Sequence, residues 1–351
     1  MINILWASKT GDANSWYHIK PFQKCNLVDK LFIVRYSKTK RVIDGAEYFT
    51  FSSSNKPIEI TLYILKTFKV LLTKKIDLVV AFNPYPWGLI SFLLAKIFRK
   101  PILLGLIGGE LEPNRTSKFK RKLLCKILKY VDIVTVTGKE TKLDLVKMGI
   151  KKDKVFIFPH LVDIDYLNQV EKSLVTSNMI TITSFLPVKR TEDAIKSLAL
   201  LVDNGVNFNM VILGDGPGKE NCIQLAKELK VEKHITFEGY VKDIRPYINN
   251  SEYYLQTSSS EGLSIALIES MAVGLIPLVT NVGDEKEVIK DKETGFFIPV
   301  GSPEMIANQI VKLETSSLKK NIKNNIEKKM HKSTIQFSNE YIGEILSSIK
   351  K

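Results

Sequence analysis

Two carboxylates lie eight positions apart: Glu261, inside a run of mostly small and polar residues, Thr257-Ser-Ser-Ser-Glu-Gly-Leu-Ser264, and Glu269, after it. The run follows an apolar segment suited to a strand and precedes one suited to a helix. Gly262 removes a side chain where a ligand would approach, and Ser264 is of the type that caps a helix N-terminus. A helix start of this kind presents backbone N–H groups and the positive end of a dipole, which favours an anion. If the segment were wholly helical, Glu261 and Glu269 would lie at most ~12 Å apart. That spacing suits an extended ligand with hydroxyls at both ends and phosphate between them. A cation is available from Lys189 and Arg190, in Leu186-Pro-Val-Lys-Arg190, also between a strand pattern and a helix pattern.

The elements that must position these groups alternate along the chain. In the first half, strands are predicted near 2–7, 31–35, 78–81, 102–106, 133–136 and 155–158, with helices at 58–72, 88–98 and 118–130. The alternation fades after Pro159 and restarts with strands at 179–183, 209–213, 235–238, 253–256, 276–280 and 295–298. Helices are predicted there at 191–202, 219–229, 264–273 and 303–313. Strands alternating with helices argue for parallel α/β sheets, and ligands bind such sheets beyond the carboxyl ends of the strands. The expected architecture is two doubly wound Rossmann-like domains facing across a cleft. Their expected limits are 1–165 and 179–335, with a polar linker at 166–178. A last helix at 336–351 would pack back on the first domain.

The segment from Ser258 to Val288, with its E-x7-E spacing, resembles retaining glycosyltransferases of family 4, whose fold is GT-B. Further matches in the same order are Pro159-His-Leu-Val-Asp163, Gly214-Asp-Gly-Pro217, Phe237-Glu-Gly-Tyr-Val241 and Thr294-Gly-Phe-Phe-Ile-Pro-Val300. The resemblance implies a nucleoside-diphosphate sugar as donor, with no metal and no other cofactor. It implies that Glu261 holds donor-sugar hydroxyls, that the backbone at Gly262, Leu263 and Ser264 holds the diphosphate, and that Glu269 holds the ribose. Lys189 would neutralise the leaving group, Gly214 and Tyr240 would line the nucleotide site, and Gly11 would close over the donor phosphate. Phe185 and Leu186 stand where the family usually has an Arg before this Lys, so Arg190 is assigned the second positive charge. Ile107 precedes Gly108-Gly109-Glu110 where the family often has a His, leaving Gly109 and Glu110 as the acceptor-side residues. The implied reaction is transfer of a hexosyl or N-acetylhexosaminyl group, with retention, in cell-surface polysaccharide or glycolipid synthesis.

Two other functions compete. Gly214, Gly216 and Gly218 follow a strand, and Glu238 ends the next one, so an NAD-linked oxidoreductase is the rival from another enzyme class. A non-catalytic binding protein of the same fold is the other, because the usual Arg and His are missing. The D-x-D spacing of Asp163 and Asp165 falls at a domain end and reads as structural.

Charge divides the chain. Residues 1–165 hold 29 Lys and Arg against 14 Asp and Glu, while residues 166–351 hold 22 against 23, so the formal net charge of +14 belongs to the first half. Such asymmetry implies an anionic partner: a phosphorylated or lipid-linked glycan acceptor, or an anionic membrane surface. The membrane reading centres on residues 115–129, which carry seven cations and no acid. There Phe119, Leu123, Leu124, Ile127, Leu128 and Val131 are expected on one helix face. No aromatic platform accompanies the charge, so nucleic acid is not expected as a partner. The longest apolar run, from Trp87 to Phe98, is too short to span a bilayer. The N-terminus lacks signal-peptide order, and Cys25, Cys125 and Cys222 form no pairing pattern. A cytoplasmic protein is expected, peripheral on the inner membrane face.

Overall fold

The computed structural model describes all residues except 9–11, 37–41, 108–109, 112–115, 171–175, 332–333, 336–337 and 351. The chain divides into two compact units, Met1–Leu161 with Thr334–Lys351, and Val162–Ser333.

The first unit is a seven-stranded sheet of β1 (Ile2–Ala7), β2 (Val28–Tyr36), β3 (Glu47–Phe51), β4 (Leu78–Phe82), β5 (Ile102–Gly105), β6 (Ile133–Val136) and β7 (Val155–Ile157). Its order is β3-β2-β1-β4-β5-β6-β7, and neighbouring strands run parallel. The helices are α1 (Asp12–Lys24), α2 (Lys56–Thr73), α3 (Leu89–Ile97), α4 (Lys118–Leu128) and α5 (Lys139–Lys147). Alternate strand residues such as Leu5, Ala7, Val79, Ala81 and Leu104 meet Tyr63 and Val70 of α2, Leu94 of α3, Leu124 and Leu128 of α4, and Leu145 of α5 in one core. Burying each large apolar side chain there contributes roughly 1.5–3 kcal/mol. The shared core puts α2 to α5 on the same face of the sheet.

The second unit is a six-stranded sheet of β8 (Met179–Ile182), β9 (Met210–Leu213), β10 (Ile235–Gly239), β11 (Tyr253–Gln256), β12 (Ile276–Thr280) and β13 (Phe296–Ile298). Its order is β10-β9-β8-β11-β12-β13, again parallel. The helices are α6 (Ile164–Asn168), α7 (Thr191–Asp203), α8 (Lys219–Glu228), α9 (Arg245–Ile248), α10 (Ile265–Ala272), α11 (Pro303–Glu314) and α12 (Leu318–Met330). The chain then returns to the first unit as α13 (Ser338–Ser347), which lies against α1 and buries Ile342, Ile345 and Leu346. There Asn339 accepts a hydrogen bond from the Asn26 amide at 2.8 Å.

Three differences from the sequence reading have physical causes. β3 was not foreseen, because its five residues form an edge strand with only Phe51 fully buried. Residues 166–168, expected in the linker, end α6 instead. Asp163 caps that helix by accepting from the Tyr166 amide at 3.0 Å. The Arg245 guanidinium sits 4.0 Å from the Tyr166 ring and donates to the Tyr166 and Gln169 carbonyls, tying the segment to its unit. Phe119, expected on the apolar face of α4, is 76% exposed, whereas Leu124, Ile127 and Leu128 are buried.

Candidate donor-binding site

The order of the second sheet reverses between β8 and β11, the place where a doubly wound sheet leaves a crevice at its carboxyl edge. The loop after β8 runs through a short 3-10 turn, Pro187–Lys189, to the start of α7. The loop after β11 runs through Thr257–Leu263 to Ser264, whose hydroxyl accepts from the Leu267 amide at 3.3 Å and so caps α10. The two loops are joined along their backbones. The Ser259 amide donates to the Val188 carbonyl at 2.7 Å, and the Thr257 hydroxyl donates to the Lys189 and Arg190 carbonyls at 3.1 and 2.8 Å. From the next loop, the Thr280 hydroxyl donates to the Ser258 carbonyl at 2.5 Å.

This bracing brings Lys189 and Glu261 together across 72 residues of sequence. Lys189 Nζ donates to Glu261 Oε1 at 2.5 Å, and Ser258 Oγ donates to the same oxygen at 2.6 Å. Glu261 is only 7% exposed, so its charge is largely desolvated and depends on these partners. The pair sets an ammonium, which can bind an anion, beside a carboxylate, which can accept from hydroxyls. Glu269, buried in α10, is eight residues further on. Burial raises the pKa of the Tyr254 phenol, and the charges of Glu261, Glu285 and Glu269 push it in the same direction.

Glu285 belongs to the site and was missed by the sequence reading. It lies in the 3-10 turn after β12, is fully buried, and accepts from Gln256 Nε2 at 2.5 Å. The Tyr254 hydroxyl donates to the other end of that amide at 3.1 Å. Glu285 Oε2 has no hydrogen-bond partner among the described residues. Burial pushes the Glu285 carboxyl up to about 8, and the Glu261 charge adds to the rise; Gln256, the Ser264 amide and Lys189 act the other way. The group is therefore mostly a neutral acid at pH 7. In sequence, Gly-Asp-Glu-Lys-Glu287 reads as a polar loop, and nothing in its residue types singles out the buried member. Gly283 makes the fit possible. At φ +63°, a Cβ there would meet the Glu261 and Gly262 carbonyl oxygens at 2.4 Å.

The other expected residues are placed as follows. Arg190, assigned a second positive charge, turns instead to α7, where Nε and Nη2 donate to Asp193 at 2.7 and 3.2 Å. Its backbone sits in the left-handed region at φ 47°, the bend that directs chain into the helix. Leu263 is buried and Tyr240 is 77% exposed. Glu110 accepts from the Ile107 amide at 3.0 Å. Gly11 and Gly109 lie outside the described residues. Gly214 and Gly216, the basis of the oxidoreductase rival, are pressed against protein backbone. A Cβ at either would lie 1.7 Å from the Thr183 carbonyl oxygen or 1.8 Å from that of Ser184. These glycines are explained by close packing of two loops.

Comparison with known proteins follows the same division. Residues 33–166 match the family model for Glycosyltransferase Family 4, and residues 168–329 match that for Glycosyl transferases group 1. The chain belongs to glycosyltransferase family 4. This family member is 32% identical over 135 residues to N-acetyl-alpha-D-glucosaminyl L-malate synthase of Bacillus anthracis, a match covering 38% of this chain and 35% of that protein. It is 25% identical over 276 residues to Protein CapJ of Staphylococcus aureus, covering 75% of this chain and 69% of that one. The first match thus spans about a third of the relative's length. Among solved structures, Anabaena Alr3699/HepE in complex with UDP-glucose superposes with a TM-score of 0.82 at 17% identity, covering 99% of this chain and 100% of that one. The two sheets are those of the GT-B fold.

Proposed function

We propose that this glycosyltransferase moves a sugar from a nucleoside diphosphate to a glycan or lipid-linked acceptor, with retention at the anomeric carbon. The product would belong to a cell-surface polysaccharide or glycolipid. The observation that carries this reading is the Lys189–Glu261 contact at the reversal of strand order, beside the capped N-terminus of α10. In the free protein each group neutralises the other. With donor bound, Lys189 turns to the diphosphate and Glu261 accepts from sugar hydroxyls. The bond from the anomeric carbon to the phosphate oxygen breaks, and the charge that develops on the diphosphate meets a fixed ammonium and the helix dipole. The acceptor oxygen bonds to the same face of that carbon, and its proton passes to the departing phosphate. Similarity to the capsular polysaccharide biosynthesis glycosyltransferase CapM of Staphylococcus aureus supports a polysaccharide product, and similarity to the Anabaena protein solved with UDP-glucose supports a UDP-sugar donor. Free thiols at Cys25, Cys125 and Cys222 suit the cytoplasm, where we place the reaction.

A panel of nucleoside-diphosphate sugars, screened by melting temperature and then by nucleotide release with membrane extract, tests the proposal. The cognate donor raises Tm in proportion to occupancy, and release follows only when acceptor is present. Binding without release across all extracts would favour the non-catalytic protein. Within that assay, Glu269→Gln is expected to weaken the nucleotide by about tenfold, the cost of one charge-assisted hydrogen bond. Unchanged affinity would remove Glu269 from the ribose site.

A further inference from the structure

On the core-bearing face of the first sheet, α2 is apolar on two sides. Tyr63, Thr67, Val70 and Leu71 are buried against the sheet. On the opposite side Leu65, Phe68 and Leu72 repeat at helical spacing and are 42–67% exposed. α3 repeats the arrangement, with Ser91, Leu94 and Ala95 inside and Leu93 and Ile97 outside, each more than half exposed. The two helices touch through Phe68 and Phe98, whose rings meet edge to face at 5.1 Å. α4 adds Phe119, and the Tyr85 hydroxyl donates to the Lys120 carbonyl at 2.6 Å, linking α4 to the turn before α3. Single exposed hydrophobics are ordinary on a protein surface. A stripe continued across neighbouring helices is a patch, and patches mark docking.

Charge identifies what docks. α2, α3 and α4 together contain nine Lys and Arg and one acid, Glu59, which is buried. Of the carboxylates near their ends, Asp132 is paired with Lys96 and Glu47 with Lys74. The outer side of these helices is therefore cationic and apolar together. A second copy of this chain would bring like charge against like charge, and a nucleic acid would leave the Leu and Ile side chains without a partner. An anionic bilayer satisfies both components. Apolar side chains enter the boundary between headgroups and acyl chains while Lys stems extend to the phosphates.

We propose that the outer face of α2, α3 and α4 docks on an anionic lipid bilayer. It uses none of the donor-site residues and stands apart from the proposed reaction. Neither α4 alone nor charge alone makes the surface; α2 and α3 supply the insertion.

The test is sedimentation of the full chain with phosphatidylcholine vesicles and with vesicles also containing phosphatidylglycerol, alongside light scattering of the protein by itself. The parent is expected to pellet at least about tenfold more with anionic vesicles, and less as salt rises. The triple variant Leu65→Asn, Leu72→Asn, Ile97→Asn changes only exposed positions. It should lose about tenfold in binding at unchanged Tm. The double variant Lys120→Glu, Lys122→Glu should abolish the preference for anionic lipid. Equal pelleting of the parent with both vesicles overturns the proposal, as does a triple variant that binds like the parent. A dimeric parent that becomes monomeric in the triple variant also overturns it, since a second copy would then be the occupant.

Discussion

Replacing Lys189 with methionine is expected to lower sugar transfer by about two to three orders of magnitude, the usual cost of losing one preorganised charge at a developing anion. The side chain stays unbranched and of similar length, so packing around the 3-10 turn is kept while the ammonium is lost. Two consequences separate. In the bound complex the leaving diphosphate lacks its cation, which lowers kcat. In the free protein Glu261 keeps, among the described residues, the Ser258 hydroxyl on its 7% exposed carboxylate, so some stability is lost as well. Lys189→Arg restores a charge but not a compact one. Its guanidinium is broader and planar, so it fills the space beside Glu261 Oε1 and the diphosphate differently from a compact ammonium, and partial rescue is expected. Glu261→Gln should slow transfer while nucleotide binding holds, because the carboxylate is expected to meet the sugar. Steady-state kcat and KM for the cognate donor check all three variants. A Lys189→Met protein within tenfold of the parent in kcat would remove this lysine from the reaction.

The second large effect is on stability against pH and comes from Glu285. An unfolded glutamate titrates near 4.5, and burial raises this one to about 8. Between those values the folded protein binds more protons than the unfolded chain, so the Glu285 contribution to stability falls as pH rises. The penalty is absent below about pH 4.5 and complete above about pH 8. Its size is on the order of a few kcal/mol, because each tenfold change in proton affinity is worth about 1.4 kcal/mol. The groups that bear on Glu285 are Glu261, Gln256, Lys189, the Ser264 amide and the Tyr254 phenol. His18, buried beside His160 with its pKa well below 6.5, acts oppositely by favouring the fold as pH rises through that range. It is common to parent and variant, so the difference between them isolates Glu285. Glu285→Gln keeps the size and an oxygen for the Gln256 amide and removes the ionisation. Urea midpoints from about pH 5.5 to 8.5 should diverge, with the variant increasingly the more stable as pH rises. Parallel curves would mean that the carboxyl is already ionised in the fold.

Part of this site could be read directly from the chain. The small-residue run after a strand, the Ser264 cap and the positions of Glu261 and Glu269 before and inside α10 are local features. Local features follow from backbone geometry within one loop and one helix. The two parallel sheets were legible for a similar reason, because strands buried on both faces read as continuous apolar runs. The edge strand β3 escaped because an edge is half solvated and its residues look like loop.

Glu261 and Glu269 were placed by spacing alone, and spacing defines a loop that leads into a helix. What Glu261 touches was decided elsewhere. Lys189 reaches it only because β8 and β11 are neighbours in the sheet and because Thr257 and Ser259 tie one loop to the other. The same is true of Arg190, adjacent to Lys189 in sequence yet turned to Asp193 by a left-handed bend, and of Phe119, one of a periodic set yet facing out. Glu285 states the limit most directly. Its neighbours in sequence are polar, and only the packing of three loops makes it a buried, protonated acid. Periodicity and caps act over one turn or one strand and are carried by the sequence itself. Charge pairing, desolvation and the outward face of a helix are set by distant segments, so only the tertiary structure decides them.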